Sequence, residues 1–443
     1  MPIEKENTAP PLHLANLDPN AADVFEERPD HDFHYKTLSW QFVSLLMIAE
    51  IVSNGMLSLP SALAVVGIVP AVILIMFFGI FALYTAKLLI DFKLNHPGVH
   101  NMGDAGYVLG GWPAREILSF GTMVFAICGT GSELLSGQQA LSTLSNNSLC
   151  TIYLLVIFAA ATLLVALPRT LDRVAWLGLL SVCLITLSGV VAMIGAGINP
   201  VPRRTISATV PTSFYQAFLA ITNPVFAYAG HFMFFILISE MHTPKDAMKA
   251  AWCLQTFATL FYTIFAVVIY VYLGDTVASP ALLSLPPSWA KAAFGIALSN
   301  FLIAGGLYSH TAAKIIFVRW FRNTKHMYTH TVLGWIVWVA LCFAAVAIAS
   351  ILAIAVPIFS YLIGIAASLF ASVFTYGLSG CFWIHDTYRF GGWPSLQRKP
   401  GQCVLAVFTI VSGAFICVAG TYVSIKLIDD AYKDGLVGKP FSC

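Results

Sequence analysis

The residues of this chain that could do chemistry interrupt a long apolar segment. IAEIVSNGMLSLPSALAVVG, at 48–67, carries Ser53, Asn54 and Gly55 in its middle and Pro60 just beyond them. Inside a bilayer, a backbone N–H or C=O without a partner costs several kcal/mol. An interruption at that depth therefore predicts that the freed backbone groups line an enclosed cavity and bind a small polar cargo.

A second apolar segment is interrupted in the same way. SFYQAFLAITNPVFAYAGHFMFFILISEMHTP, at 213–244, contains Pro224 and then the run AYAGH at 227–231. Proline removes a hydrogen-bond donor, and glycine with small neighbours permits unwinding and close approach. Taken alone, the segment fits a binding break and an ordinary proline kink equally well.

The elements that must position these breaks are membrane helices. Of 443 residues, 58% are hydrophobic and 10% are charged, and the mean hydropathy is +0.81, whereas a soluble domain is roughly 25% charged. A spanning helix needs about 20 mainly apolar residues. The sequence predicts an all-α integral membrane protein with eleven spans, at 40–66, 69–92, 115–141, 151–167, 174–198, 214–240, 250–273, 289–316, 331–354, 357–384 and 402–427.

The charges between these spans predict their orientation. Fourteen Lys and Arg residues fall in loops on one side, against Arg203, Arg204 and Lys291 on the other, and positively charged loops stay cytosolic. We therefore predict a cytosolic N-terminus with a disordered tail at 1–38, which is polar and Pro-rich, and an extracellular C-terminal tail at 428–443.

The two interrupted spans occupy matching positions in two halves of the chain. Five spans from the first break cover 39–197, and five from the second cover 214–384. An odd number of spans per half gives the halves opposite orientations in the membrane. Paired broken helices in inverted halves indicate the midplane site of a secondary transporter, so we predict a transporter domain at 39–427 with 402–427 as an extra helix.

Three motifs carry a resemblance to a known family: NGMLSLPSAL at 54–63, FAYAGH at 226–231 and SEMHTP at 239–244. With the eleven-span layout, they resemble the amino acid/auxin permease family of the amino acid-polyamine-organocation superfamily, and within it the fungal neutral amino acid permeases. The resemblance covers residues 37–427. It implies a LeuT-like 5+5 inverted repeat with broken helices 1 and 6, and secondary import of amino acids.

The same resemblance leaves the coupling ion open. Fungal members are usually coupled to protons and some animal members to sodium. Some proton-coupled relatives in the superfamily carry a Lys in the fifth span that replaces a sodium ion. The fifth span here, VAWLGLLSVCLITLSGVVAMIGAGI, has no Lys.

A zwitterionic amino acid needs partners for a carboxylate and an ammonium. The N–H groups that begin the second half-helix near Gly55 and Met56 lie at a positive dipole end, which suits the carboxylate. The carbonyls near Ser53, Phe226 and Ala227 suit the ammonium. Two side chains are predicted to add donors: Asn54 and Ser58.

Selectivity is predicted to depend on the residues that face the breaks. No charged residue is dedicated to a charged substrate, so neutral substrates, including large aliphatic and aromatic ones, are favoured. The predicted residues are Tyr228, Ala229, His231, Phe232, Thr130, Gly131 and Asn300.

Few ionisable residues lie at membrane depth, and each is a candidate for coupling. The proton-carrier candidates are Glu50, Glu133, His231 and His310. A structural role for the two carboxyl groups stays open. The sodium alternative would use oxygens of Ile51, Asn54, Ser309 and Thr311, although such hydroxyls often bond their own helix backbone.

Other classes of function are less well supported. No Asp-x-x-Asp motif, no basic block and no CxxC spacing occurs among the 443 residues and nine cysteines, so we predict no enzyme, nucleic-acid partner, cofactor or metal site. Cys150 and Cys443 lie nearest the predicted outer surface, where a disulfide between them is possible. The favoured function is a plasma-membrane proton symporter; the alternatives are a sodium-coupled or vacuolar carrier and a transporter-like nutrient sensor.

Overall fold

The structure, a computed structural model, describes residues 24–25, 32–170, 172–322, 324–356 and 358–435, without the side chains of 172–175. This part of the chain is helical, and an isolated parallel bridge joins Leu38 to Met241. The first half contains α1 (Trp40–Ile51), α2 (Asn54–Val66), α3 (Ile68–Asn95), α4 (Met102–Leu144), α5 (Thr151–Ala166) and α6 (Asp172–Ile198).

The second half and the C-terminal helix follow. They contain α7 (Phe214–Ala227), α8 (His231–Ser239), α9 (Ala247–Leu273), α10 (Pro287–Phe321), α11 (Lys325–Tyr328), α12 (Val332–Ala355), α13 (Phe359–Ala366), a π-helical segment (Ala367–Gly377), α14 (Leu378–Gln397) and α15 (Pro400–Lys433).

The predicted all-α membrane fold is confirmed. Among the described residues, nine helical segments are long and apolar enough to span a bilayer, and α1 with α2 forms one further bent span. The predicted span 151–167 appears as α5, which has only 16 residues. The count of eleven spans therefore stays a prediction.

The first break lies between α1 and α2, whose axes differ by 49°. Val52 and Ser53 leave the helical region, with φ −85° and ψ 69° at Val52 and φ −135° and ψ −115° at Ser53. Asn54 and Gly55, expected to be non-helical, instead form the first turn of α2. This correction has a simple cause, because Asn and Gly are well tolerated at a helix N-terminus.

The second break lies between α7 and α8. Tyr228, Ala229 and Gly230 separate the two helices, and the Gly230 N–H bonds the Tyr228 carbonyl at 3.1 Å. Pro60 and Pro224, the two prolines that suggested interruptions, lie inside α2 and α7 without ending them. A membrane helix tolerates an internal proline where its neighbours satisfy the freed backbone group.

The helices of the two halves pack across each other. α10 lies against α4 and α6, α3 lies against α9, and α2 lies against α7. The broken helices α1–α2 and α7–α8 run through the middle, and α8 is fully buried. α15 packs on the outside against α14 and the π-helical segment.

Part of the predicted N-terminal tail packs against the bundle. Phe25 and Tyr35 stack at 4.4 Å between ring centroids and are both buried. The Leu38 N–H donates to the Glu240 carbonyl, and the His242 N–H donates to the Leu38 carbonyl. Residues 1–23 and 26–31 lie outside the described residues.

Candidate functional site

The two breaks cross each other in the centre of the bundle. A Cβ on Gly55, at the start of α2, would lie 2.6 Å from the Cα of Ala227 at the end of α7. A Cβ on Gly230, at the start of α8, would lie 2.2 Å from Cδ1 of Ile51 at the end of α1. Thus α2 begins against the end of α7, and α8 begins against the end of α1. The two glycines permit this close approach because they have no Cβ atom.

Tyr262 of α9 joins the ends of the two first half-helices. Its hydroxyl oxygen lies 2.8 Å from the carbonyl oxygen of Ile51 and 2.8 Å from that of Ala227. A buried Tyr hydroxyl needs a hydrogen-bond partner, and the freed carbonyls of the breaks supply one. Sequence reasoning missed this residue, because nothing in α9 indicates that its hydroxyl reaches both breaks.

Glu50 lies at the crossing with its carboxyl group unused. The residue is 2% exposed, and neither carboxyl oxygen has a hydrogen-bond partner among the described residues. Oε2 lies 3.8 Å from the position that a Cβ on Gly230 would occupy. Glu50 is therefore a carboxyl group beside both breaks that is available to a proton or a ligand.

Glu133 of α4 has a different environment, although it is equally buried. The Ser53 hydroxyl lies 3.0 Å from Glu133 Oε2 and 2.6 Å from Asn300 Oδ1. The backbone N–H of Asn54 also donates to the Glu133 carboxyl group. The Glu133 carboxyl group thus lies at the N-terminus of α2, where a carboxyl oxygen can accept hydrogen bonds.

Asn300 and Asn54 extend this polar network to neighbouring helices. Asn300 Nδ2 donates to Ser181 Oγ of α6 at 2.7 Å and to the Ala49 carbonyl at 3.4 Å. Asn54 Nδ2 donates to Ser132 Oγ of α4 at 3.2 Å. The first break is therefore tied to three helices outside its own span.

The polar side chains of the second break point elsewhere. The Tyr228 hydroxyl donates to Thr259 Oγ1 of α9 at 3.2 Å. His231 Nε2 lies 2.9 Å from the Ala82 carbonyl oxygen and 3.1 Å from Thr85 Oγ1, both in α3. These two predicted selectivity residues face α3 and α9 rather than the first break.

The other predicted substrate-binding residues are divided between the crossing and the surrounding packing. Phe232 stacks on Tyr308 of α10, with 5.9 Å between ring centroids. A Cβ on Gly131 would lie 3.2 Å from the Ala349 carbonyl oxygen of α12, so Gly131 faces away from the breaks. The remaining polar members bond their own helices, namely Ser58 to the Gly55 carbonyl and Thr130 to the Ala126 carbonyl.

The side chain of Met56 points away from the crossing. Its terminal methyl carbon is 3.6 Å from the position of a Cβ on Gly189 in α6. Of the predicted ammonium partners, Phe226 and Ala227 end α7 and are buried beside the break. Ala229 lies within the break itself and is 3% exposed.

The candidates from α10 for ion coupling lie apart from one another. The Ser309 hydroxyl donates to the carbonyl of Gly305 at 2.7 Å in its own helix. His310 meets the Trp338 ring of α12 edge-on, with 5.1 Å between centroids. Thr311 Oγ1 is buried without a hydrogen-bond partner among the described residues.

A buried ion pair covers one end of the bundle. Lys314 of α10 pairs with Glu240 just after α8, and both side chains are at most 2% exposed. The Lys314 ammonium also lies 5.1 Å from the centre of the Tyr35 ring. Burial raises the pKa of the Tyr35 phenol, so its hydroxyl stays protonated and donates to the Met327 carbonyl at 3.1 Å.

Cys150 is disulfide-bonded. Its expected partner, Cys443, lies outside the described residues. The seven other cysteines are free.

Solved structures share this arrangement of helices. A sodium-coupled sialic acid symporter in its substrate-bound outward-open state has a TM-score of 0.57 at 12% identity, over 90% of this chain and 93% of that one. MhsT in complex with L-phenylalanine has a TM-score of 0.55 at 11% identity, over 90% of this chain and 100% of that one. This likeness confirms the LeuT-type fold and, at such low identity, carries no statement about substrate.

Sequence relatives identify the family. An "N amino acid transport system protein" of Neurospora crassa is 32% identical over 100% of this chain and 96% of its own length. A "transmembrane transporter" of Gibberella moniliformis is 29% identical over the same shares. The family model described as "transmembrane amino acid transporter protein" matches residues 36–426. The chain belongs to the transmembrane amino acid transporter protein family and is an integral membrane protein.

Proposed function

We propose that this amino acid transporter imports neutral amino acids by proton symport through alternating access. The observation that carries the proposal is the crossing of two helix breaks beside Glu50, a buried carboxyl group with no hydrogen-bond partner among the described residues. Broken half-helices at the centre of inverted halves suit the two charged ends of a zwitterion. The carboxyl group beside them suits a proton that is carried with it.

The geometry supports a specific placement of the zwitterion. Since Glu133 already accepts the Asn54 N–H, the substrate carboxylate would take the following N–H groups, at Gly55 and Met56. The substrate ammonium would take the carbonyls of Ile51 and Ala227, which Tyr262 now bridges. An ammonium has three donors, so it can satisfy both carbonyls where one hydroxyl proton cannot.

Neutral selectivity is supported by the charges around the crossing. The ionisable side chains that the described contacts place there are Glu50 and Glu133, and the nearby ion pair of Lys314 is already neutralised by Glu240. An anionic substrate side chain would meet no cation there, and Glu50 in its protonated form would give a cationic side chain no counter-charge. Phe232 and Tyr308 offer an apolar wall instead, which suits aliphatic and aromatic substrates.

The environments of the candidates favour Glu50 as the proton carrier. Glu133 is held by Ser53 and by the N-terminus of α2, which suits a fixed structural carboxyl group. His231 uses Nε2 on the Ala82 carbonyl. Of the two carboxyl candidates, Glu50 is the one with no hydrogen bond to either oxygen among the described residues, so a proton can bind it without displacing a partner.

Sodium coupling has weaker support. Two of its four expected ligand groups already form hydrogen bonds. The Ile51 carbonyl accepts from the Tyr262 hydroxyl, and the Ser309 hydroxyl donates to a carbonyl of its own helix. Sodium needs several oxygen ligands at a helix break. We extend the proposal to a plasma-membrane location, and the loop charges support a cytosolic N-terminus.

Transport by purified protein in lipid vesicles tests the proposal. Labelled neutral amino acids should accumulate under an imposed proton gradient and exchange in counterflow without any gradient. A sodium gradient at equal pH should cause no accumulation. Accumulation driven by sodium alone would overturn the proton assignment. Binding without flux would identify a sensor, and preferential uptake of Lys, Arg or Glu would overturn neutral selectivity.

A further inference from the structure

Three potential metal ligands meet outside the crossing. His96 caps the end of α3, and His385 and Asp386 lie side by side in α14. Their ligand atoms all lie within 4.8 Å of one another. By the alternation of the spans, the cluster lies on the face where the chain enters α1, well away from the breaks.

The carboxylate of Asp386 lies between the two imidazoles. Its Oδ1 is 2.8 Å from His96 Nε2 and 3.1 Å from His385 Nδ1. Its Oδ2 accepts a hydrogen bond from Asn95 Nδ2 at 2.9 Å. The Asn95 amide thus holds the carboxylate with one oxygen turned towards both rings, which is the role of an outer residue behind a metal ligand.

We propose that His96, His385 and Asp386 bind a zinc ion that is distinct from the transport site. Two imidazoles and one carboxylate are typical zinc ligands, with bonds of about 2.0–2.2 Å and ligand atoms about 3.3 Å apart in a tetrahedral site. The two nitrogen–oxygen separations need to open by only a few tenths of an ångström. Magnesium and calcium prefer all-oxygen sites, so the ligand set selects against them.

Burial of His96 supports an ion over a simple hydrogen-bond cluster. His96 is 2% exposed, and the nitrogen that it turns towards Asp386 is Nε2. Without an ion, both imidazoles must donate to one carboxylate oxygen. A zinc ion replaces those two shared protons, because each nitrogen then donates a lone pair to the metal instead.

A cavity gives the ion a route and a fourth ligand. It measures about 440 Å³ and is lined by Asn95 and Asp386, with Asp91, Ser395 and Lys399 also in its wall. Water in such a space can complete the zinc coordination, as in three-ligand sites that keep one position open.

The position of the cluster predicts a consequence for uptake. His96 belongs to the first half of the chain and the other two ligands belong to the second half, so zinc would cross-link α3 to α14. A cross-link between elements that move relative to each other slows alternation. This consequence rests on the proposed transport function, whereas zinc binding itself does not.

Zinc titration of the purified full-length chain in detergent tests the site by calorimetry. We expect one zinc ion per chain, with binding lost in His96→Ala and in Asp386→Asn and weakened about 10–100-fold in Asn95→Ala. His242→Ala, which removes an exposed His elsewhere, should bind zinc as the unaltered chain does. Magnesium should give no comparable signal.

Each other outcome overturns the proposal. Absence of zinc binding by the unaltered chain, or full binding by folded His96→Ala and Asp386→Asn, removes the site. His385→Ala, at a partly exposed position, provides the same test if the buried variants do not fold. In vesicles, zinc should slow uptake by the unaltered chain and leave His385→Ala unaffected; equal inhibition of both would overturn the regulatory role even where binding is retained.

Discussion

The first and second breaks differ in their backbones and in the helices that surround them. Ser53 and Asn54 of the first break form hydrogen bonds to α4 and α10. Tyr228 and His231 of the second break form hydrogen bonds to α3 and α9. The second break is thus fastened to α9, which follows it in the chain, and to α3 of the first half. The first break is fastened to α4 and α10 instead.

This difference indicates which contacts change during transport. If α1–α2, α3, α7–α8 and α9 move together against α4 and α10, the bonds of Tyr228 and His231 travel with the moving group. The bonds of Ser53 and Asn54 must break and form again in each cycle. Substitutions at the first break should therefore affect transport more than equivalent substitutions at the second.

The largest expected effect is at the two crossing glycines. Gly55→Leu should lower uptake 100-fold or more, because its Cβ meets the backbone of Ala227. This loss corresponds to an increase of about 3 kcal/mol in the activation free energy. Gly230→Ala should lower uptake about tenfold, since its Cβ meets only the movable end of the Ile51 side chain. Initial uptake rates, normalised to protein at the cell surface, measure both.

Two matched variants separate the crossing from general damage. Gly401→Leu, at a position where a Cβ meets nothing within 4 Å, should transport normally. Ile51→Val should restore part of the uptake lost in Gly230→Ala by removing the methyl group in the way. Equal loss in Gly55→Leu and Gly401→Leu would show that the crossing has no special importance.

A smaller difference is expected between two hydroxyl groups. Ser53→Ala should lower uptake roughly tenfold, because it removes the buried hydroxyl that lies within hydrogen-bond distance of both Glu133 and Asn300, at a cost of about 1–3 kcal/mol. Tyr228→Phe removes one bond to Thr259 and should change uptake less than about threefold. Rates of counterflow for the two variants check the order, and the reverse order would contradict the assignment of moving contacts.

The smallest effect on the maximal rate is expected at Tyr262, which contacts both breaks equally. Tyr262→Phe keeps the ring and removes the hydroxyl from the Ile51 and Ala227 carbonyls. If the substrate ammonium replaces this hydroxyl, the variant should change the apparent KM two- to fivefold, by about 0.5–1 kcal/mol, with little change in maximal rate. A loss of maximal rate at unchanged KM would place the hydroxyl outside the substrate site.

Much of the fold follows from the sequence because membrane helices have a strong local signal. Long apolar segments, Gly and Pro punctuation and the matching interruptions predicted the two broken spans. The predicted start of α2 was wrong by up to two residues. Asn54 and Gly55 were interpreted as helix-breaking residues, although both are tolerated at a helix N-terminus. The 16-residue α5 shows the limit of a criterion based on length.

The candidate site was less predictable because it depends on contacts between distant parts of the chain. Glu50 and Gly55 could be placed beside a break from their position alone. The bridge from Tyr262 and the orientation of His231 towards α3 could not, since each depends on how α9 and α3 pack. The cluster of His96 and Asp386, separated by 290 residues, has no signal in spacing either.

Proton-driven accumulation by Glu50→Gln, compared with Glu133→Gln, tests the central claim most directly. We predict that Glu50→Gln loses accumulation under a proton gradient and retains counterflow, because the substrate site survives without its proton carrier. Glu133→Gln should slow both processes and keep their dependence on the gradient, because it replaces the carboxyl group at the N-terminus of α2. Normal proton-driven accumulation by Glu50→Gln would contradict the account.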